Sequence, residues 1–177
     1  MINSIYQLTS PRMIEVTYDE IDIAEPGIII RPSHLSICKA DQRYYQGARS
    51  KAVLKKKLPM ALIHECMAEV VYDKDGLFKP GERVIAIPNT PTEDDEIIAE
   101  NYRFSSKFRS SGFDGFLQDY VQMPADRLVR IDDSVNPMLP HFRSLSRFPC
   151  MLSQGLTVLH TKEEIRWAFG ETETWAL

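Results

Sequence analysis

The chain is short of cysteine, of long apolar runs and of charge of one sign, and each shortage removes a class of protein. Cys38, Cys66 and Cys150 are the only cysteines in 177 residues. Odd in number and widely spaced, they exclude the disulfide framework of a small secreted domain. They leave open a metal-binding or catalytic use of one thiol. No apolar run approaches the roughly 20 residues that span a bilayer, and the start MINSIYQLTSPRMIEV lacks the basic lead and apolar core of a signal peptide. A cytoplasmic protein with no membrane partner is expected. The formal net charge of −4 argues against a dedicated nucleic-acid surface. The basic run Lys55, Lys56, Lys57 and the pair Lys107 and Arg109 read as solvated faces.

What is present is ordinary globular material, 44% hydrophobic and 26% charged, enough for one domain with a core. IYQLTS, RMIEVTYDEI, IIIRPSHLSIC, MAEVVYD, KPGERVIAIP, GFLQDYVQMP and RLVRID read as short strands separated by turn residues such as Pro26-Gly27 and Asp75-Gly76. Helical signals are weak and short, chiefly KADQRYYQ and KAVLKKK. This pattern predicts a mainly β barrel with a few short helices rather than a βαβ sheet. Residues 89–112 are polar and read as a long excursion containing a short helix. Beyond about residue 136 neither strand alternation nor an amphipathic stripe is sustained.

Chemistry concentrates in two places. Cys38 follows an apolar strand with Asp41 three residues on, and His64-Glu65 lies between an apolar stretch and a strand. Zinc accepts thiolate, imidazole and carboxylate together, and a catalytic zinc needs three protein ligands and an open position. Cys38, His64 and Glu65 offer that set. The bland alternative makes Cys38 a small buried hydrophobe and His64-Glu65 two polar residues at a strand edge.

Three segments tip the balance. ICKADQRYYQG resembles the Cys-x-x-Asp-x-x-x-x-x-Gly segment of the medium-chain, zinc-dependent alcohol and polyol dehydrogenases. IHECMAEVV resembles their Gly-His-Glu-x-x-Gly-x-Val segment, and FKPGERV their Pro-Gly-Asp-Arg-Val turn. The resemblance spans roughly residues 25–132 and implies a GroES-like β-barrel, the catalytic domain of that family. RPSHLSICKADQRYYQG and KKKLPMALIHE are most similar to its branch that reduces ribulose 5-phosphate in wall teichoic acid synthesis. It implies Cys38 and His64 as catalytic zinc ligands, Glu65 as a ligand or neighbouring carboxylate, and Asp41 as a group behind them. It also implies NADPH as hydride donor, a sugar-phosphate substrate and a cytidylyltransferase as pathway partner, and it allows a homo-oligomer. Tyr44, Tyr45 and Arg49, with the lysines at 55–57, are candidate contacts for the sugar phosphate. A surface-charge reading of them stays open. The sequence departs from the family at Ile63 and Ala68, where glycines are usual and the backbone is therefore freer. The four-cysteine structural zinc lobe has no counterpart in 89–112.

The family's nucleotide-binding Rossmann half is also without a counterpart, since no G-x-G-x-x-G occurs. Read one frame over, the codons for Trp167 to Ala176 permit Gly-Val-Trp-Gly-Asp-Gly-Asn-Leu-Gly, which contains that fingerprint. The expected organisation is a catalytic domain over 1–136 and a frameshifted, poorly ordered tail over 137–177, with little turnover from the chain alone. A genuine C-terminal extension that caps the barrel is the alternative for the tail. For function, the alternatives are a non-catalytic GroES-like module that binds zinc or a partner, another zinc-dependent polyol or alcohol dehydrogenase, and a decaying gene product.

Overall fold

A computed structural model describes residues 1–97, 103 and 105–132, together with the backbone of 157–159. The architecture is mainly β, as expected. The first hairpin joins β1 (Ile2–Ser10) to β2 (Met13–Glu20) through a tight turn in which Arg12 takes a φ of 65°. β3 (Ile28–Ile37) leads directly into α1 (Lys39–Tyr45), and α2 (Lys51–Lys57) follows. Then come β4 (Met60–Ala61), β5 (Glu65–Asp73), β6 (Arg83–Ala86), β7 (Asn89–Thr90), β8 (Lys107–Phe108), β9 (Val121–Met123) and β10 (Leu128–Arg130). β11 (Thr157–Leu159) lies in the tail.

The strands form a three-stranded sheet in the order β2-β1-β4, a larger sheet in the order β10-β6-β5-β3-β11 with β9 also on β3, and the pair β7-β8. Every pairing is antiparallel. β9 and β11 share one edge of β3, at Ile28–Ile30 and Leu35–Ile37 respectively, while β5 runs along the other. Covered on both faces, Ile28, Ile29 and Ile30 are all buried, so this stretch reads as a continuous apolar run rather than as an alternation. The β3–β5 pair is irregular twice, with Val71 an extra residue in β5 and Ser33 an extra residue in β3. The Ser33 hydroxyl donates to the Met67 carbonyl across this irregularity, at 3.1 Å.

Both helices have local reasons to begin where they do. Ser50 caps α2 by accepting from Val53 N at 3.3 Å, and Lys55, Lys56 and Lys57 complement the negative end of its dipole. α2 buries none of its residues, which agrees with reading its lysines as a solvated face. Pro59, which follows Leu58, disfavours further helix.

The buried segment Met60, Ala61, Leu62 and Ile63 is at most 1% exposed and is braced by residues 114–117. Gly115 N donates to Ala61 O, Phe116 N to Ile63 O and Leu117 N to Leu62 O, at 2.8, 2.7 and 3.2 Å. Asp114 adds a carboxylate oxygen to Ala61 N at 2.6 Å. His64 is thus delivered from a stretch whose backbone is fixed on both sides.

Within 89–112 the described residues show β7, β8, turns and bends, with no helix among them, and residues 98–102 and 104 of the expected excursion lie outside the described residues. The expected domain boundary near 136 and the character of 137–177 also lie outside the described residues, apart from β11. No helix among the described residues is long and apolar enough to cross a membrane.

Candidate metal centre

β3 ends at Ile37, and Cys38 turns the chain into α1 as its N-cap. Its Sγ accepts from Ala40 N at 3.3 Å while Asp41, one turn in, accepts from Cys38 N at 3.0 Å. The motif that starts the helix therefore also fixes the thiol. On the partner strand His64 precedes β5 and Glu65 opens it, with Ser36 paired opposite Glu65. Sheet register brings the two segments together.

The sequence-predicted residues meet. Cys38 Sγ lies 3.8 Å from His64 Nε2, and Glu65 Oε1 lies 3.9 Å from the same nitrogen. Zinc bonds of about 2.3 Å to sulfur and 2.0–2.2 Å to nitrogen or oxygen let two ligands of one ion stand at such separations. Asp41 Oδ1 is 4.0 Å from His64 Nδ1, on the other side of the ring. Cys38, Asp41 and His64 offer ligand atoms that all lie within 4.8 Å of one another, and all three residues are buried.

The hydrogen bonding separates the two carboxylates. Asp41 is completely buried and saturated: Oδ2 accepts from Cys38 N, and Oδ1 accepts from Ile63 N and from the Ser110 hydroxyl, both at 3.0 Å. Glu65 is the opposite case: both of its oxygens are buried and neither meets a donor in good hydrogen-bond geometry, the Ser36 hydroxyl lying near enough to act on the carboxylate without being aligned to bond it. A buried carboxylate left in that condition is costly unless it meets a proton or a cation. Burial raises its pKa, with Asp41 adding to the rise while the Ser36 hydroxyl and His64 oppose it. Burial, reinforced by Asp41, likewise pushes the Cys38 thiol up to about 12. One imidazole and two acidic groups, short of positive charge, are a donor set that fits zinc. Cys66 belongs elsewhere: it alternates to the other face of β5, donates to Met67 O at 3.4 Å, and burial raises its thiol pKa too.

Ile63 stands where the family has glycine, with φ at 70°, a left-handed conformation unusual for a β-branched residue. Such strain costs about 1–3 kcal/mol. Full burial of the side chain contributes about 1.5–3 kcal/mol, and the bond from Ile63 N to the Asp41 carboxylate adds about 1.5–3 kcal/mol. The favourable contributions are the larger, and the strained turn holds. Ala68, the other departure, sits wholly buried in β5 between Pro32 and Val84.

Tyr44 and Tyr45 fall on the same side of α1 as Asp41 and are buried in the core, at 6% and 4% exposure. Arg49 lies over the Tyr44 ring, 4.8 Å from its centre, and its buried Nε has no hydrogen-bond partner.

The excursion contributes residues that sequence reasoning missed. Phe108 packs its ring 5.5 Å from that of His64, and Ser110 bonds Asp41. Arg109 is no solvated cation: it is half-buried and donates to Asp114 O and Gln122 O at 3.0 and 3.3 Å. Burial lowers its pKa. No local sequence signal marks Ser110, which lies 69 positions from its partner.

Comparison with known proteins identifies the family and the fold. Residues 25–133 match the alcohol dehydrogenase GroES-like domain family. The chain is 49% identical over 172 residues to the ribulose-5-phosphate reductase of Bacillus spizizenii, covering 97% of this chain and 50% of that protein. It is 56% identical over 136 residues to ribulose-5-phosphate reductase 2 of Staphylococcus aureus, covering 77% and 40%. The chain thus spans about half the length, or less, of the curated relatives it matches. The structure of S. aureus TarJ in complex with NADPH superposes with a TM-score of 0.61 at 43% identity, over 77% of this chain and 35% of that one. L-idonate 5-dehydrogenase from Escherichia coli, at 21% identity over 80% of this chain and 43% of that one, shares the fold with a TM-score of 0.71.

Proposed function

The chain belongs to the alcohol dehydrogenase GroES-like domain family, and on that footing we propose that it forms the metal-binding part of an NADPH-linked reductase acting on ribulose 5-phosphate to give ribitol 5-phosphate. The observation that carries the reading is the convergence of Cys38 Sγ and Glu65 Oε1 on His64 Nε2, at 3.8 and 3.9 Å, with both Glu65 oxygens otherwise unpartnered. Cys38, His64 and Glu65 would hold zinc. Bound zinc supplies Lewis acidity at a carbonyl oxygen, and NADPH supplies hydride.

The chain's own residues prepare that chemistry. Asp41 holds the backbone of both ligand segments through Cys38 N and Ile63 N. Phe108 packs its ring in a tilted contact against that of His64. Low exposure at His64 and Glu65 strengthens every charge interaction in the site. Arg49, with an unpartnered Nε, is our proposed contact for the substrate phosphate; Tyr44 carries its guanidinium, and Tyr45 is buried in the core. A ribitol-phosphate product would pass to a cytidylyltransferase in the cytoplasm.

The test has two readouts. Equilibrium dialysis of the full chain is expected to give one zinc per chain, lost in Cys38→Ser. NADPH oxidation with ribulose 5-phosphate is expected to be far below that of a full-length relative, because the sequence carries no dinucleotide fingerprint. A chain that takes up no zinc overturns the reading. Zinc binding with no turnover at all in any substrate favours the module that binds without catalysis.

A further inference from the structure

Among the described residues, two of the three non-glycine residues with positive φ donate to one oxygen atom. Ile63, at 70°, and Ser110, at 59°, both bond Asp41 Oδ1, at 3.0 Å each. Strain retained at two separate places and directed at one buried acceptor marks a constraint beyond the packing of either segment. The same carboxylate's other oxygen fixes Cys38 N. Asp41 is therefore a junction of three chain segments, two of which carry the proposed ligands and one of which does not.

The third segment is built for its position. Arg109 N donates to Pro88 O at 3.1 Å, and its guanidinium grips Asp114 O and Gln122 O. Ser110 N donates to Phe113 O and Ser111 N to Phe108 O, at 3.0 and 3.2 Å, which closes the turn. Lys57 Nζ ties Ser111 O to the end of α2 at 2.5 Å. The Ser110 hydroxyl, 5% exposed as a residue, is thereby held with its proton on Asp41.

We propose that Ser110 is a positioning residue for the metal centre, acting through Asp41 to hold Cys38 and His64 at ligand separation. The inference rests on the zinc reading above. Ser110 touches none of Cys38, His64 or Glu65 through a described hydrogen bond, so its effect must pass through the carboxylate. Deleting the hydroxyl leaves Asp41 with one donor fewer and removes the hydrogen bond from the 108–113 turn to the ligand segments, leaving the Phe108–His64 ring contact in place. Losing a partner that orients metal ligands typically weakens metal binding by about tenfold to a hundredfold.

The experiment is a double-mutant cycle on the full chain with Ser110→Ala and Asp41→Asn. Zinc affinity is read by chelator competition, the cobalt(II) visible spectrum reports thiolate geometry, and the metal-free melting temperature reports the fold. Ser110→Ala is expected to weaken zinc about tenfold or more and to alter the cobalt spectrum. In the Asp41→Asn background it should add little. Equal losses in both backgrounds, or a lower melting temperature with affinity and spectrum unchanged, overturn the proposal. Should Asp41→Asn fail to fold, Ser110→Ala decides alone by the spectrum, an unchanged spectrum being the overturning result. A parent chain that binds neither ion removes the zinc reading and this inference with it, a result distinct from a parent that binds and a variant that binds equally well.

Discussion

Gly115 lies so close to Ile63 that a Cβ at position 115 would overlap the carbonyl oxygens of Ile63 and Leu62. The contact is backbone on backbone, so no flexible side-chain end can move aside.

Gly115→Ala is therefore expected to destabilise the protein by at least about 3 kcal/mol, the upper part of the range for overpacked sites. Phe116 N to Ile63 O, the bond that fixes the residue before His64, would be among the first lost. Urea unfolding checks the magnitude, and a variant within about 1 kcal/mol of the parent would show that the brace can shift.

Zinc binding should depend on pH through Cys38. Its thiol, raised to about 12, is protonated throughout the neutral range, so each ion bound must displace at least that proton. Apparent affinity should then rise about tenfold per pH unit from pH 6 to 8. Chelator competition at three pH values measures the slope, and a flat profile would mean the thiol is not a ligand.

Glu65 sets a second pH dependence, visible without metal. Its folded pKa is raised above the ordinary 4.5, so the folded state holds a proton that the unfolded chain releases. Its contribution to the stability of the metal-free protein is fully present below that ordinary value and is lost as pH rises through the raised one. Glu65→Gln should flatten this decline and weaken zinc on the order of a hundredfold, a ligand's share of the roughly 10–16 kcal/mol of a structural zinc site. Denaturation midpoints across pH 4 to 8 test the first effect, and dialysis tests the second.

Much of this was legible from the chain alone, for reasons that differ by element. KADQRYYQ and KAVLKKK became α1 and α2 because each begins with a side-chain acceptor, Cys38 or Ser50, at its cap. The proposed ligand set could be read because a thiol, an imidazole and a carboxylate together suit zinc, and the fold brings the three side chains close. Tyr44 and Tyr45 as substrate contacts rested on side chains whose direction depends on the helical face, and that face turns them into the core. Arg109 read as solvated because its partners are carbonyls at positions 114 and 122, which composition does not reveal. The tie from Ser110 to Asp41 is invisible for the same reason, since local pattern holds no information about a bond between such distant residues.

The paired irregularities in the central sheet have a meaning for the metal centre. Side chains alternate along a strand, so a slip of one residue between β3 and β5 would turn Glu65 to the opposite face relative to Ser36. Val71 introduces such a slip and Ser33 takes it back, so that the strands leave their far ends in the phase in which they began. The two extra residues work as opposed shims, and together they let the sheet bend without putting Cys38 and Glu65 out of phase. An insertion or deletion far from any proposed ligand, if it fell between those positions on one strand alone, would reach the proposed zinc site as a half-turn of every side chain beyond it.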